Sequence, residues 1–213
     1  YRVGETDMSR WWEVFGDPQL TSLIQRAAED NKDLQIAVAK VTEARARLGF
    51  AKAGRYPSVS LGGGSQRQQD ATTGFATRTV SNIGAEASWE IDVFGRVARQ
   101  VESADAEFTA TEEDRRDVQV ALFAEVARAY LGVRALQTQL TIAQRNIESQ
   151  REILGLTERR GGAGISSDLD VALARSVLAA SEAQVPTLRI NFAREINTLG
   201  VLVGKNPQAL HSE

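Results

Sequence analysis

Few residues in this chain have the type and spacing that catalysis or metal binding requires. The 213 residues include no cysteine, which excludes disulfides, thiolate nucleophiles and thiolate metal sites. His211 is the only histidine, and one imidazole argues against a histidine-based catalytic centre or a zinc site. The net charge of −3 is spread over scattered acids and bases, so no basic stripe indicates nucleic-acid binding.

Three carboxylates, Glu86, Glu90 and Asp92, recur at even spacing and therefore share one face if this segment is a strand. A glycosidase would need two carboxylates on opposite sides of a cleft, which one strand face does not provide. We interpret the three as a water-facing acidic strip. The glycine clusters at 62–64 and 161–164 lack the Gly-Lys-Ser/Thr step of a phosphate loop, and the second cluster predicts a turn.

Two segments alternate with the period of two that predicts strands. The first runs over 57–69, and the clearer second one runs over 82–93. A polar loop at 70–79 joins them. Two tilted strands of about ten residues would cross a bilayer. Trp89 falls on the apolar face near a strand end, where either ordinary packing or an aromatic girdle at the lipid interface explains it, and we favour the girdle.

Two helices are predicted before the strands. Asp17 is placed to cap the first helix, with Pro18 at its first position, and Asn31 and Lys32 break it. The second helix begins at Asp33 and should end near Gly54. Their apolar stripes share helical spacing and comprise Leu20, Leu23, Ile24, Ala27 and Ala28, and then Leu34, Ala37, Val38, Val41 and Leu48.

After the strands, residues 96–159 contain no proline and predict one long helix. Its apolar seam, at 118, 122, 126, 129, 133, 136 and 140, has coiled-coil-like spacing. About 64 helical residues would span ~95 Å, so we expect this helix to project and to pack against partners. A turn at 161–167 should reverse the chain into a returning helix.

The returning helix begins with Ser166, Ser167 and Asp168, which supply a hydroxyl cap and an acid in the first turn. Pro186 should kink or divide this helix, and the segment 204–207 should stop it. Its predicted apolar stripe consists of Leu169, Leu173, Val177, Ala180, Leu188, Phe192, Ile196 and Leu199.

Several segments, in order, resemble the outer-membrane efflux channels of the TolC type. The most specific is Ser-Trp-Glu-Ile-Asp-Val-Phe-Gly-Arg at 88–96, which resembles the passage from a barrel strand into the long helix. The other matching segments are Trp12–Leu23, Asn31–Ala37, Ala127–Tyr130, Gly164–Asp168 and Leu202–Pro207. Together they cover nearly the whole chain.

This resemblance implies a trimeric channel with a twelve-stranded barrel and a helical tunnel through the periplasm of a Gram-negative bacterium. The family has two tandem repeats per subunit, and this chain resembles the first repeat in the lipoprotein branch. We therefore expect a mainly α fold with a β-hairpin: a long antiparallel helical hairpin, resembling a coiled-coil rod, that carries two barrel strands. The expected divisions are 1–54 (N-terminal helices), 55–94 (barrel strands) and 95–213 (long helix, tip turn and returning helix).

The implied function is a passive conduit for drugs or other small molecules, with no enzyme activity and no cofactor. The expected partners are the outer membrane, other copies of the chain, a periplasmic adaptor and an inner-membrane pump. The alternative is that the chain is itself a periplasmic adaptor, a class that also combines strands with a helical hairpin. In adaptors the hairpin interrupts a small β-domain, whereas here adjacent strands precede it, which favours the channel.

The resemblance also suggests roles for individual residues. Gly164, Ile165 and Ser166 should contact the adaptor from the tip turn, because an apolar residue held out on a turn indicates an interaction surface. Asp168 is a candidate for a constriction, although helix capping explains it as well. The acidic strip of Glu86, Glu90 and Asp92 should face the channel lumen. Trp89 should lie at the membrane interface.

Overall fold

The computed structural model describes residues 8–70 and 76–206, so His211, Pro207 and the centre of the predicted loop, 71–75, lie outside the described residues. After a 3-10 helix, Met8–Phe15, the elements are α1 (Pro18–Asp30), α2 (Lys32–Ala53), β1 (Ser58–Asp70), β2 (Ala76–Ser88), α3 (Arg96–Gly162) and α4 (Asp168–Leu202). The strands form one antiparallel two-stranded sheet. The chain divides into a unit within residues 1–36 and 117–213 and a unit within 37–116.

The first two helices begin and end at the residues that their capping chemistry selects. Asp17 caps α1, because its Oδ1 accepts hydrogen bonds from the backbone N–H groups of Gln19 at 2.8 Å and Leu20 at 3.3 Å. Asn31 ends α1, and its Oδ1 then accepts from the N–H of Leu34 at 2.9 Å in the first turn of α2. The predicted break at Asn31 is confirmed, and α2 begins one residue earlier than predicted, at Lys32.

Asn31 is also the polar anchor of the first unit. Its side chain is buried, and its Nδ2 donates to the carbonyl oxygen of Leu202 at the end of α4, at 2.9 Å. One amide therefore satisfies a free N–H at the start of α2 and a free carbonyl at the end of α4.

The core of the first unit is built on the predicted seam of α3. Leu122, Val126, Ala129 and Val133 are buried, which confirms the centre of the seam, while 118, 136 and 140 are only half-buried. The residues packed with them come from the 3-10 helix, from α1 and from the end of α4 and include Trp12, Leu20, Leu23, Ile24, Ile196, Leu199 and Val203.

The helix α3 runs unbroken over 67 residues and confirms the prediction of one helix across 96–159. The helix α4 lies antiparallel to it, because Arg151 pairs with Glu182 at 2.7 Å while Arg175 pairs with Glu158 at 2.9 Å. The earlier residue of α3, Arg151, therefore meets the later residue of α4, Glu182. The later residue of α3, Glu158, meets the earlier residue of α4, Arg175.

The predicted stripe of α4 is wrong over its first three turns. Leu169, Leu173 and Val177 are exposed, as is Ala180, and the half-buried positions are instead Val171, Leu178 and Val185. Both sets have helical spacing, so periodicity alone could not choose between them. The packing partner chooses, since Val171 lies against Gly161 of α3.

Two smaller predictions also change. Pro186 does not divide α4, which is one helix of 35 residues. A proline removes a single helical hydrogen bond. Here Glu182, one turn before Pro186, is held to α3 by its ion pair with Arg151. Ala28 of α1 and Val38 of α2 were assigned to apolar stripes, and both are exposed.

In the second unit the buried side chains come from α2 and from the beginning of α3. They are Ala37, Ala44 and Leu48 on the one helix and Val97 and Val101 on the other. The guanidinium of Arg45 also lies over the ring of Phe108, at 5.5 Å from the ring centre. This packing holds together the end of α2 and the beginning of α3, between which the β-hairpin lies in the chain.

A polar cluster links α1 to α3 in the first unit. The hydroxyl of Tyr130 donates to Oδ2 of Asp17 at 2.5 Å, and Arg134 donates to Tyr130 at 3.0 Å and to Gln19 at 3.1 Å. The hydrogen bond from Tyr130 is the main reason that the pKa of Asp17 lies below its ordinary value, and the backbone N–H groups of Gln19 and Leu20 add to the shift against partial burial. Burial, and then the Asp17 carboxylate, raise the pKa of Tyr130.

We predict that Gly204→Ala destabilises the first unit far more than Gly164→Ala does. Both glycines have a positive φ of 72°, so each alanine carries a left-handed backbone cost of about 1–2 kcal/mol. At Gly204 an added Cβ would also fall inside van der Waals contact of the Asp30 carbonyl group, with the carbonyl carbon at 2.8 Å, whereas at Gly164 it meets open space. Thermal unfolding of both variants measures the difference, and equal losses would contradict the clash.

We predict that Tyr130→Phe lowers stability by about 1 kcal/mol at neutral pH, because the Asp17 carboxylate loses its strongest donor. The folded pKa of Asp17 lies below the ordinary 3.8, so its stabilisation is fully present above pH 3.8 and is lost as the pH falls through the folded pKa. The difference in melting temperature between wild type and Tyr130→Phe should therefore shrink below pH 3.8. An Asp17→Asn control should show little pH dependence in the same comparison, and an undiminished difference at pH 3 would refute the coupling.

Candidate functional site

The β-hairpin has two chemically different faces. Its register pairs Ser58 with Ser88 and continues to Asp70 opposite Ala76. Because side chains alternate across a strand, one face carries Val59, Leu61, Ile83, Ala85 and Ala87, and the other carries Ser58, Ser60, Gln66, Gln68, Asn82 and Glu86. The predicted alternation is confirmed for this part of the hairpin.

The strand bounds differ from the prediction. The strand β2 covers 76–88 instead of 82–93, so half of the predicted loop at 70–79 is strand, and the other half, 71–75, lies outside the described residues. Glu86 lies on the polar face opposite Ser60. Trp89, Glu90 and Asp92 follow the strand and do not share its faces, so their placement on strand faces is wrong.

The reason is that these residues build the junction between β2 and α3. Asp92 accepts hydrogen bonds from the N–H groups of Val97 at 3.0 Å and Ala98 at 2.8 Å, which are free donors in the first turn of α3. Glu90 pairs with the guanidinium of Arg96 at 2.6 Å. Gly95 between them has a φ of 75°, which a glycine adopts without strain.

The electrostatics of the junction follow from this geometry. Partial burial tends to raise the pKa of Asp92, but the N–H groups of Ala98 and Val97 and the nearby Arg96 outweigh it and hold the pKa below its usual value. Asp92 is thus an ionised helix cap. Sequence reasoning missed this role, because Asp92 lies four residues before the start of α3 and not at the position directly before it, where capping residues are sought.

Trp89 closes the base of the hairpin. Its Nε1 donates to the carbonyl oxygen of Arg55 at 3.3 Å, which ties the residue after β2 to the segment before β1. The indole stays 58% exposed and lines an open groove with Phe50 and Tyr56, both also exposed. An exposed aromatic set at the foot of a strand pair is typical of a membrane interface.

The tip between α3 and α4 is a tight turn closed by backbone hydrogen bonds. The N–H groups of Ile165 and Ser166 both donate to the carbonyl oxygen of Arg160, at 2.9 and 3.3 Å. Gly164 supplies the positive φ that this helix end needs. The side chain of Ile165 is 68% exposed, as the sequence predicted for a residue with no core to enter.

The restart of the helix after the tip uses a capping box. The Oγ of Ser167 accepts from the N–H of Asp170 at 3.2 Å, and the Asp170 carboxylate accepts from the N–H of Ser167 at 2.9 Å. The backbone N–H and the hydroxyl of Ser167 both donate to Oδ2 of Asp170, at 2.9 and 2.8 Å, and hold the pKa of this carboxyl below its usual value. Asp168 is exposed in the first turn and is not part of the box.

Within residues 8–70 and 76–206, no group of three or more histidine, aspartate or glutamate side chains could hold a metal ion. No helix among those residues combines the length and the apolarity needed to cross a bilayer. The two surfaces that remain are the two-faced hairpin with its aromatic base and the exposed apolar tip.

The comparison with known proteins gives the family. The model of the outer membrane efflux proteins matches residues 23–205. The chain belongs to the outer membrane efflux protein family. Pyoverdine export outer membrane protein OpmQ of Pseudomonas aeruginosa is 35% identical over 98% of this chain and 46% of its own length.

Two further outer-membrane proteins agree. The probable efflux pump outer membrane protein TtgC of Pseudomonas putida is 31% identical over 91% of this chain and 41% of its own length. The solved outer-membrane channel OprN matches with a TM-score of 0.81 and 35% identity, over 93% of this chain and 45% of that structure. The fold is therefore that of about half an efflux channel subunit, and the adaptor alternative gains no support. The chain spans less than half the length of these relatives.

We predict that Asp92→Ala lowers the stability of the fold, because two N–H groups at the start of α3 lose their acceptor. Glu90→Ala is the matched control, since it removes a neighbouring carboxylate whose exposed ion pair with Arg96 contributes less. Chemical unfolding of both variants and of Asp92→Asn, which keeps an acceptor, tests the cap. Equal losses in Asp92→Ala and Glu90→Ala would contradict it.

Proposed function

We propose that the protein containing this chain is the outer-membrane component of a tripartite export system and acts as a passive conduit for small molecules. The observation that carries this proposal is the direct junction of a two-faced β-hairpin with a 67-residue helix. Strands with one apolar and one polar face suit a wall between lipid and a lumen. In this proposal no bond is made or broken, and the chain needs no cofactor.

Uncovered surfaces support assembly with further copies, which in this proposal form a trimer of full-length subunits in the outer membrane. The described sheet has only two strands, and open strand edges are not tolerated in lipid. In the helical hairpin, Leu156 of α3 and Leu169, Leu173 and Val177 of α4 are exposed apolar residues. Neighbouring hairpins would bury them in a tunnel wall.

We propose that the polar hairpin face, with Glu86, lines the lumen and that Trp89 sits at the membrane interface. Glu86 shares its face with serine, glutamine and asparagine, which suits a water-filled passage. Glu90 and Asp92 belong to the junction between β2 and α3. The negative charge that they would add to the lumen therefore comes from this turn and not from a strand face. The name of OpmQ specifies export of pyoverdine. For this chain we propose only that the exported compounds are small molecules.

We propose that the tip residues Gly164, Ile165 and Ser166 contact a periplasmic adaptor, which links the conduit to an inner-membrane pump. The exposed aliphatic side chain of Ile165 stands on a turn whose backbone is already satisfied by the carbonyl of Arg160. It can therefore enter a groove between partner helices without any rearrangement of the turn. Asp168 is exposed beside it and remains the candidate for a constriction.

We predict that Ile165→Asp abolishes export while protein abundance and trimer assembly stay at wild-type levels, because a charge would have to be buried at the contact. Drug resistance of cells that carry the variant measures export, and crosslinking measures the adaptor contact. Ile165→Val is the control, since it keeps an aliphatic surface and should support export.

The conduit itself is tested by the same strains. Cells that lack the protein should become sensitive to the exported compound, and wild-type protein should restore resistance. Unchanged sensitivity on loss of the protein would refute the conduit. Restored resistance with Ile165→Asp, together with wild-type crosslinking to the adaptor, would refute only the role of the tip.

A further inference from the structure

The apolar face of the β-hairpin changes its chemistry along its length. From the base outward, the cross-strand pairs on this face are Val59 with Ala87, Leu61 with Ala85, Gly63 with Ile83, Ser65 with Ser81, and Arg67 with Thr79. The first three pairs are apolar, and Leu61 and Ile83 are almost fully exposed. The face thus passes from an apolar band to an arginine within two further pairs.

The serine pair between them is self-satisfied. The two hydroxyls of Ser65 and Ser81 lie 3.0 Å apart and hydrogen-bond to each other. A polar pair that satisfies itself tolerates apolar surroundings at little cost. The pair therefore extends the face that lipid can cover up to the level of Arg67.

The length of this stretch matches the height of a lipid-facing band. Nine residue steps separate Ser88, the last residue of β2, from Thr79, the cross-strand partner of Arg67. At ~3.3 Å per residue and a strand tilt of about 40°, these steps rise ~23 Å across the membrane, close to the ~25 Å apolar band of outer-membrane strands. If the base with Trp89 lies at one interface, Arg67 lies at the other.

An arginine on the lipid-facing side is tolerated only near an interface, where its cost in lipid becomes small. Its long side chain can also extend toward the headgroups. The helices continue from the base of the hairpin, so the opposite end is the outer surface of the outer membrane. The outer leaflet there contains phosphorylated glycolipids, and a guanidinium binds phosphate through paired N–H donors.

We propose that Arg67 binds a phosphate group of an outer-leaflet glycolipid of the lipid A type. This site rests on the proposed function, because it requires the hairpin to cross the outer membrane with this face toward lipid. Arg78 provides a natural comparison. It belongs to the next pair of the ladder, opposite Gln68, and therefore lies on the polar face. A guanidinium on that face points away from lipid.

The test uses the full-length outer-membrane protein that contains this chain, purified in detergent and titrated with lipid A. Native mass spectrometry measures how many lipid A molecules each assembly retains. Arg67→Gln should weaken lipid A binding about fivefold, the effect of one basic side chain at an anionic lipid surface. Arg67→Lys should bind more tightly than Arg67→Gln because the charge remains, but less tightly than wild type because the paired N–H donors are lost. Arg78→Gln should bind like wild type.

Dephosphorylated lipid A separates phosphate recognition from acyl-chain packing. Wild-type protein should bind it as weakly as Arg67→Gln binds intact lipid A. Equal binding of intact lipid A by wild type and Arg67→Gln, or a loss in Arg78→Gln instead, would overturn the site. Membrane fractionation distinguishes failure of the lipid A site from failure of the proposed function. Absence of the protein from the outer membrane would overturn the conduit as well as the site.

Discussion

Along α3 the side chains of Leu122, Val126 and Val133 form a seam that a single helix cannot cover by itself. In the first unit the seam is covered by α1, the 3-10 helix and the end of α4, with Trp12 packed edge-on against Phe123 at 5.0 Å between ring centres. This need for cover explains why segments from both ends of the described chain meet on the middle of one helix.

Polar side chains determine where the helices that pack on this seam begin and end. Asn31 joins the start of α2 to the end of α4, Asp17 caps α1 and accepts from Tyr130 of α3, and Ser167 with Asp170 restarts the chain after the tip. Each of these groups satisfies backbone donors or acceptors that helix ends leave free. The apolar seam supplies most of the burial, and the capping groups select one register and one set of helix ends.

The surfaces that this packing leaves exposed are those on which the proposed function depends. The first turns of α4 keep an apolar stripe in solvent, the tip presents Ile165, and the hairpin has two open edges among the described strands. In the proposed conduit such surfaces are covered by copies, partners and lipid. On the apolar face of the hairpin, the change from Leu61 to Arg67 indicates that lipid recognition extends to the headgroups.

The sequence by itself determined the order and type of the elements from α1 to α4, because caps such as Asp17, the glycines of the tip and the period-two or helical spacing are local signals. Only tertiary structure decided that Glu90 and Asp92 leave the strand, because their partners Arg96, Val97 and Ala98 belong to the next helix. It also decided that Val171 and not Leu169 faces α3. Two stripes with the same spacing are equivalent until a packing partner selects one of them.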